Sequence, residues 1–296
     1  MSIIYSKPVV EYIKDFSKRK IEKFKQVRPD RPQALRAPKL CIISVGEDEA
    51  SKVYVNNKIK MCTEVGIEYR TIQYHKEIEQ WYLIDSIKQL NDDPNIDGII
   101  VQQPLPKHLD TKVIVNTIKP SKDVDGFTVG SPFTPATPAG IRTLLDYNLI
   151  QTRGKNIVII GRSDTVGRPL ANLLSSKSYD GNVTLLHSKT KREDMIYYCK
   201  NADIIIACCG VPKMITKEYL NFKNITSNNT NTGQIVIDVG IHRIDGKLCG
   251  DVDFEDVKDY CDITPVPGGV GPLTVVSLIA NTVEAYINGH ESINAN

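Results

Sequence analysis

The segment I-V-I-I-G-R-S-D-T-V-G-R-P-L-A-N-L-L at 157–174 decides the fold. Four β-branched residues in a row read as a strand buried on both faces, which only a helix-covered sheet provides. A glycine turn follows, and then apolar residues at helical spacing. In such a unit the turn aims the free N–H groups and the positive dipole end of the helix at an anion, a pyrophosphate above all. Gly161 and Gly167 permit the tight turn and a close backbone approach. The spacing departs from G-x-G-x-x-G, because Ser163 stands where the second glycine belongs. The turn alone therefore fits a nucleotide site or an ordinary strand-to-helix connection.

The strand expected next, V-T-L-L at 183–186, ends in His187, Ser188, Lys189, Thr190, Lys191 and Arg192. An NAD site carries a carboxylate here, about 20 residues beyond the turn, to bind the ribose 2′-hydroxyl. Hydroxyls and cations stand in its place. That chemistry suits a 2′-phosphate and leans to NADP; a basic helix start on the surface is the plain alternative.

Strand and helix patterns alternate on both sides of this unit. Before it, strands are expected at 40–45, 69–74 and 96–101, with helices at 8–26, 51–65, 80–90 and near 111–118. A loop at 128–139 leads to a helix from about Pro138. After the turn, a helix starts at Val166, and strands follow at 156–160 (preceding it), 183–186, 203–207 and 234–239. A helix is expected around 193–200, and another closes the chain at 273–287. The pattern is α/β: two domains, each an αβα layered, mostly parallel sheet, the second Rossmann-like, with a cleft between them. The expected boundaries are 1–142, completed by a C-terminal helix at 273–296, and 143–272. The Pro-rich segment 28–38 and the polar segment 226–233 read as loops.

The 296 residues are 41% hydrophobic and 24% charged, ordinary for a globular chain and unlike a disordered or collagenous one. A net charge of +2 gives no general nucleic-acid footprint. Up to Lys39 there are 11 Lys/Arg against 4 Asp/Glu, read as a solvated helix face rather than a contact for an acidic ligand tail. No apolar run approaching about 18 residues stands out, and residues 1–16 lack a signal peptide's apolar region, so no membrane is expected. Seven scattered cysteines without a C-x-x-C pair read as reduced thiols in a cytoplasm, with no metal site.

In the first half, Tyr54 and Lys58 lie four apart on one helical face, an aromatic ring beside an ammonium group. Asp123 and Asp125 in K-D-V-D-G-F either receive the N–H donors of a heterocycle or close a turn at Gly126. P-G-G-V-G-P at 267–272 allows a ligand close to the backbone, or is a plain linker.

These motifs stand in one order: V-G-E-D-E-A-S-K-V-Y-V-N-N-K (45–58), D-G-I-I-V-Q-Q-P-L-P (97–106), K-D-V-D-G-F (122–127), T-P-A-T-P-A-G (134–140), G-R-S-D-T-V-G-R-P (161–169), H-S-K-T (187–190), D-V-G-I-H (238–242) and T-P-V-P-G-G-V-G-P-L-T (264–274). Together they resemble the bifunctional methylenetetrahydrofolate dehydrogenase/methenyltetrahydrofolate cyclohydrolase family over residues 40–287. The resemblance implies that Tyr54 stacks on the folate's aminobenzoyl ring, that Lys58 is the catalytic lysine supported by Gln102, and that Asp125 binds the pterin edge. It implies Val101, Gly271, Pro272 and Val275 as further folate contacts. For the cofactor, NADP, it implies Thr137, Gly161, Arg162, Ser163, Val166, His187, Ser188 and Ile241, with Arg162 and Ser188 at the 2′-phosphate. It also implies a homodimer paired through the nucleotide-binding domains. Ala136 stands where the family usually has a noncatalytic cysteine, and Gln103 where it often has leucine. A monofunctional dehydrogenase, with NAD in place of NADP, and a noncatalytic nucleotide-binding protein are the alternatives.

Overall fold

The computed structural model describes residues 1–27, 35–46, 49–222 and 232–291. The loops expected at 28–38 and 226–233 lie mostly outside the described residues. Elements run α1 (Lys7–Val27), β1 (Lys39–Val45), α2 (Glu49–Val65), β2 (Glu68–Tyr74), α3 (Gln80–Asp92), β3 (Gly98–Val101), α4 (Thr111–Val115) and α5 (Ala136–Tyr147). They continue with β4 (Asn156–Ile160), α6 (Gly167–Leu174), β5 (Asn182–Leu186), α7 (Arg192–Lys200), β6 (Ile204–Ala207), β7 (Ile235–Asp238), β8 (His242–Ile244), β9 (Lys247–Cys249), α8 (Phe254–Val257), β10 (Asp262–Ile263) and α9 (Val270–Glu291).

The chain divides into two compact units, Glu11–Ala136 with Val275–Asn296, and Met1–Val10 with Thr137–Thr274. The first holds a parallel three-stranded sheet in the order β2-β1-β3. Alternate residues of a strand point to opposite faces, and here both faces are covered. Leu40, Ile42 and Ile100 pack with Cys62 and Val65 of α2 and Leu278 and Ile279 of α9. Cys41, Ile43, Ile99 and Val101 pack on the other side with Leu83 and Ile87 of α3 and Ile114 of α4. β2 is an edge strand and shows it: Glu68, Tyr69, Arg70 and Thr71 are exposed, and charge on an edge discourages pairing with another chain.

The second unit holds a parallel five-stranded sheet in the order β10-β7-β6-β4-β5. Ile157, Ile159, Ile204 and Ile206 face a core with Leu170 and Leu174 of α6, while Val158, Ile160, Ile205 and Val236 face one with Cys199, Leu220 and Val257. The chain adds β5 on one side of β4 and β6 on the other. In an open α/β sheet, ligands bind outside the carboxyl ends of the strands at such a switch point.

Three features depart from the sequence reading. The division runs at 136/137 and 274/275 rather than 142/143 and 272/273, and residues 1–10 join the second unit. They do so because Ile4 N donates to Ile263 O (2.8 Å) and Ser6 N to Gly268 O (2.9 Å). The hairpin of β8 and β9 was not foreseen. It turns through Asp245 (φ 48°) and Gly246 (φ 77°), a two-residue Asp-Gly connection that matches strand twist. Finally, α9 is long and apolar enough to cross a membrane by length and composition, which corrects the reading of no such run. Most of it is buried, with Leu273, Val276, Ile279, Val283 and Tyr286 inside the protein.

Ile159 is fully buried in β4. Ile159→Ala should therefore cost about 2–5 kcal/mol of stability, the range for truncating a packed aliphatic side chain. Ile244→Ala, on the exposed hairpin, should change stability by about 0.5 kcal/mol or less. Urea unfolding of both variants checks this contrast.

Candidate active site

The first unit gathers its reactive groups where β3 ends. Gln102 is the first residue beyond that strand, and its backbone N–H donates to Ile43 O (2.8 Å), continuing the ladder. Its side-chain Nε2 donates to Gln103 O (2.8 Å), which fixes Oε1 as the free end. That oxygen accepts a hydrogen bond from Lys58 Nζ at 2.9 Å. Lys58 comes from α2 and is buried, 8% exposed. Burial holds its ammonium below the usual lysine range, and the attraction of Asp125 opposes this only in part. Cys62, one turn further along α2, is a fully buried thiol that burial pushes up to about 12, so it stays neutral beneath the amine. Tyr54, one turn before Lys58, is half-buried, and burial raises its hydroxyl above the ordinary range.

The two aspartates divide the roles that the sequence left open. Asp123 is fully buried; its Oδ1 accepts from Gly126 N (3.2 Å), and its Oδ2 accepts from Thr128 N (2.7 Å) and Thr128 Oγ1 (2.8 Å). It closes the turn, and Gly126 completes that turn at φ 77°. A Cβ on Gly126 would come within 2.7 Å of Phe133 O, so only glycine fits. Asp125, half-buried, has no hydrogen-bond partner among the described residues. Burial pushes its carboxyl up to about 6, Lys58 pulls it down, and the like charge of Asp123 adds a further rise. An amine that burial pushes down and a carboxyl that burial pushes up to about 6 show the two directions of shift that suit a group to acid–base chemistry.

In the second unit the β4–α6 turn is as tight as its glycines suggest. Gly161 sits at φ 128°, and a Cβ there would fall 2.0 Å from Cys208 O. A Cβ on Gly167 would fall 1.9 Å from Gly161 O. Ser163, in place of the second glycine, does the work of a cap: its Oγ accepts from Val166 N (3.1 Å) and Gly167 N (3.3 Å). The backbone N–H groups of Ser163, Asp164 and Thr165 have no partner among the described residues and remain for an anion. Arg162 is exposed and unpaired among those residues.

At the end of β5, Thr190 Oγ1 accepts from His187 N (3.1 Å) and His187 Nδ1 accepts from Lys189 N (3.2 Å), which orders the loop. Ser188 and Lys189 are left exposed. Lys191 and Arg192 pair with Glu193 and Glu218, so these two cations belong to the surface. An unpaired arginine, lysine and hydroxyl beside a side-chain-free turn suit a dinucleotide carrying an extra phosphate.

Other expected contacts fall as follows. Thr137 Oγ1 and Thr274 Oγ1 share a hydrogen bond of 2.9 Å. Gly271 lies against Ile241, whose Cδ1 is 3.2 Å from where a Cβ on Gly271 would stand; Ile241 itself is 42% exposed. Pro272 is exposed, whereas Val101 and Val275 are buried. Among the described residues, no group of three His, Cys, Asp or Glu side chains is placed to hold a metal ion.

Sequence reasoning missed two buried carboxyls, Asp238 and Asp251. Asp238 accepts from Gly240 N (3.1 Å), Asp251 N (2.9 Å) and Val252 N (3.0 Å), and burial pushes it up to about 7 despite those donors. The available signal was D-V-G beside G-D-V: each aspartate stands next to a glycine with no room for a side chain. A Cβ on Gly250 would lie 1.8 Å from Asp238 Oδ2, and one on Gly240 2.4 Å from Asp251 Oδ1.

Comparison with known proteins gives two family matches. Residues 4–125 match the tetrahydrofolate dehydrogenase/cyclohydrolase catalytic domain, and residues 135–290 match the NAD(P)-binding domain of the same proteins. The bifunctional protein FolD of a Sulfurihydrogenibium species is 42% identical over 297 residues, covering 97% of this chain and 98% of the relative. That of a Hydrogenobaculum species is 43% identical over 263 residues, or 85% and 90%. Among solved structures, the bifunctional FolD enzyme of Campylobacter jejuni superposes with a TM-score of 0.87 at 37% identity, covering 97% of this chain and 99% of that one. The Trypanosoma brucei enzyme, solved with NADP and an inhibitor, gives 0.85 at 29% identity, covering 100% and 99%.

The division between the aspartates is open to measurement. Asp123→Ala orphans three donors and should cost several kcal/mol, at about 1–3 kcal/mol for each buried unsatisfied group. Asp125→Ala removes a desolvated carboxyl and should leave stability at neutral pH within about 1 kcal/mol of the parent. Denaturant unfolding of the two variants gives both numbers.

Proposed function

This chain belongs to the tetrahydrofolate dehydrogenase/cyclohydrolase family, and on that premise we propose that Lys58, Gln102, Asp125 and Tyr54 carry its folate chemistry. The enzyme is bifunctional: it oxidises methylenetetrahydrofolate to methenyltetrahydrofolate with NADP, and hydrolyses the product to 10-formyltetrahydrofolate. The observation that carries the residue assignment is the buried Lys58 amine, 2.9 Å from Gln102 Oε1. We assign the folate-binding role to the unit around β1–β3 and the dinucleotide-binding role to the unit around β4–β7.

NADP, when bound, would supply the acceptor for the hydride that leaves the bridging methylene carbon. The folate nitrogens stabilise the resulting cation, so the oxidation asks the protein for positioning and for no proton transfer. Asp125 supplies acceptor oxygens for the pterin's N–H donors, and Tyr54 offers a ring face to the aminobenzoyl group. Val101, Gly271, Pro272 and Val275 complete the proposed folate contacts. Gly161, Arg162, Ser163, Val166, His187, Ser188, Thr137 and Ile241 are the proposed cofactor contacts, with Arg162 and Ser188 toward the 2′-phosphate.

Hydrolysis is different, because water adds to the methenyl carbon and loses a proton. Lys58 is the group to take it. Desolvation enlarges the neutral fraction of its amine, and a cationic substrate alongside lowers the pKa further. Gln102 Oε1, held in place because Nε2 of the same amide donates to Gln103 O, accepts one amine proton and so sets the direction of the lone pair. The remaining proposals concern assembly and place. Pairing through the nucleotide-binding units into a homodimer would cover exposed apolar side chains such as Val211. Seven unpaired cysteines suit a reducing cytoplasm.

Lys58→Met keeps the length of the stem and removes the amine. Methenyltetrahydrofolate hydrolysis should fall by about 10²–10⁴-fold, the usual worth of an acid–base group. Dehydrogenation should fall far less, and methenyltetrahydrofolate should accumulate. Product analysis of the purified variant, corrected for spontaneous hydrolysis, decides: unchanged hydrolysis removes Lys58 from the chemistry, and loss of both activities in a folded protein makes it a substrate anchor.

A further inference from the structure

Asp251 is fully buried, yet its carboxylate is used completely. Oδ2 accepts from the backbone N–H of Cys209 (2.7 Å) and of Gly210 (3.0 Å), and Oδ1 lies 2.7 Å from His242 Nε2. A carboxylate only accepts, so His242 Nε2 carries the proton and donates. The backbone N–H of Asp251 is bonded in turn to Asp238 Oδ1, which also accepts from Gly240 N.

The segments held in this way have one thing in common. Cys208–Gly210 directly follows β6, and Val239–Ile241 directly follows β7. Both leave the sheet at its carboxyl edge on the side of β4 away from β5. Cys208 continues to the phosphate turn itself, since its N–H donates to Ile160 O (2.8 Å) and its carbonyl excludes any side chain at Gly161. Ser188, Lys189 and Arg162 mark the β5 side for the phosphate-bearing adenosine. A dinucleotide that crosses the switch point then lays its nicotinamide half toward the ends of β6 and β7.

We propose that Asp251 and His242 are positioning residues for the nicotinamide half of the cofactor: their hydrogen bond locks the Cys209–Gly210 and Gly240–Ile241 loops in the shape that half requires. The proposal rests on the cofactor reading above and extends it to side chains that do not themselves touch the dinucleotide. Loops are ordinarily the mobile parts of such a sheet. A buried carboxylate that takes two amides of one loop and a side chain from the start of the next removes that freedom before the ligand arrives, and preorganisation is worth affinity. The residue at 242 tunes the lock, because its ring nitrogen gives Asp251 a side-chain hydrogen bond that can be exchanged without touching the backbone; the Cys209 thiol meets the same carboxylate.

The test uses the full-length enzyme and three variants at 242, with two ligands measured by titration calorimetry. NADP carries the nicotinamide half; adenosine 2′,5′-bisphosphate carries the phosphate and adenosine alone. His242→Ala should weaken NADP about tenfold and leave adenosine 2′,5′-bisphosphate within twofold. Hydrolysis of supplied methenyltetrahydrofolate, which consumes no NADP, should stay within twofold as a check that the fold is intact. His242→Gln, whose amide N–H reaches to the position of Nε2, should restore NADP binding to within threefold, whereas His242→Leu should behave as His242→Ala. Equal weakening of both ligands, unchanged NADP binding in His242→Ala, or failure of His242→Gln to rescue would each overturn the proposal. If the unmodified enzyme bound neither ligand, it would be the cofactor reading that fell.

Discussion

A parallel sheet covered on both faces ends all its strands along one edge, and that constraint orders everything else in this protein. The inner strands are apolar because helices lie on either side: in β4, Ile157 and Ile159 serve one core, Val158 and Ile160 the other. Polar groups are therefore pushed to the strand ends, where the chain leaves the sheet and its amides lose their ladder partners. Gln102 follows β3, Gly161 follows β4, His187 follows β5, Cys208–Gly210 follow β6, and Val239–Ile241 follow β7. Each is the first stretch of chain free to meet a ligand. Recognition at these positions is a consequence of how the sheet is closed to solvent.

Burial then turns position into chemistry. The same surroundings that keep water from the cores leave the Lys58 amine short of solvation, and an ammonium short of solvation gives up its proton more readily. Asp125 limits the effect: its attraction favours the charged amine, while Lys58 pulls Asp125 down toward ionisation. With Asp125 near 6, its carboxylate is largely available as an acceptor at neutral pH. Asp123, two residues earlier, raises Asp125 by its like charge, but its own oxygens are committed to Gly126 and Thr128. Two acids two residues apart end in different states because one has its hydrogen bonds filled by its own turn.

The fold was largely readable in the sequence because its strands are long apolar runs and its helices carry regular spacing. The β4–α6 segment and α2 stand within two residues of where pattern alone puts them. What escaped the pattern was short or depended on distant partners. The β8–β9 hairpin has three-residue strands, too brief for periodicity, and only its Asp-Gly turn betrays it. The attachment of residues 1–10 beside β10 rests on backbone hydrogen bonds that no side chain announces. At the site, the helical pairing of Tyr54 and Lys58 was legible from spacing; the lysine's partner, Gln102, came only from the family resemblance, since 44 residues separate them and only the closed sheet joins them. Within the basic run after β5, Lys191 and Arg192 pair with Glu193 and Glu218, a distinction that the run itself does not carry. Asp238 and Asp251 were invisible as a pair because their link runs through a backbone amide.

The account stands on the buried amine of Lys58, and its proton affinity can be read directly. Heteronuclear NMR of the ¹³C,¹⁵N-lysine-labelled enzyme, with Lys58→Met to assign the signal, follows that one side chain through a pH titration. The account predicts a midpoint below the ordinary lysine value of 10.5, and a further fall in Asp125→Asn, which removes the opposing charge. A Lys58 that titrates at or above 10.5, or that is indifferent to Asp125, would contradict it.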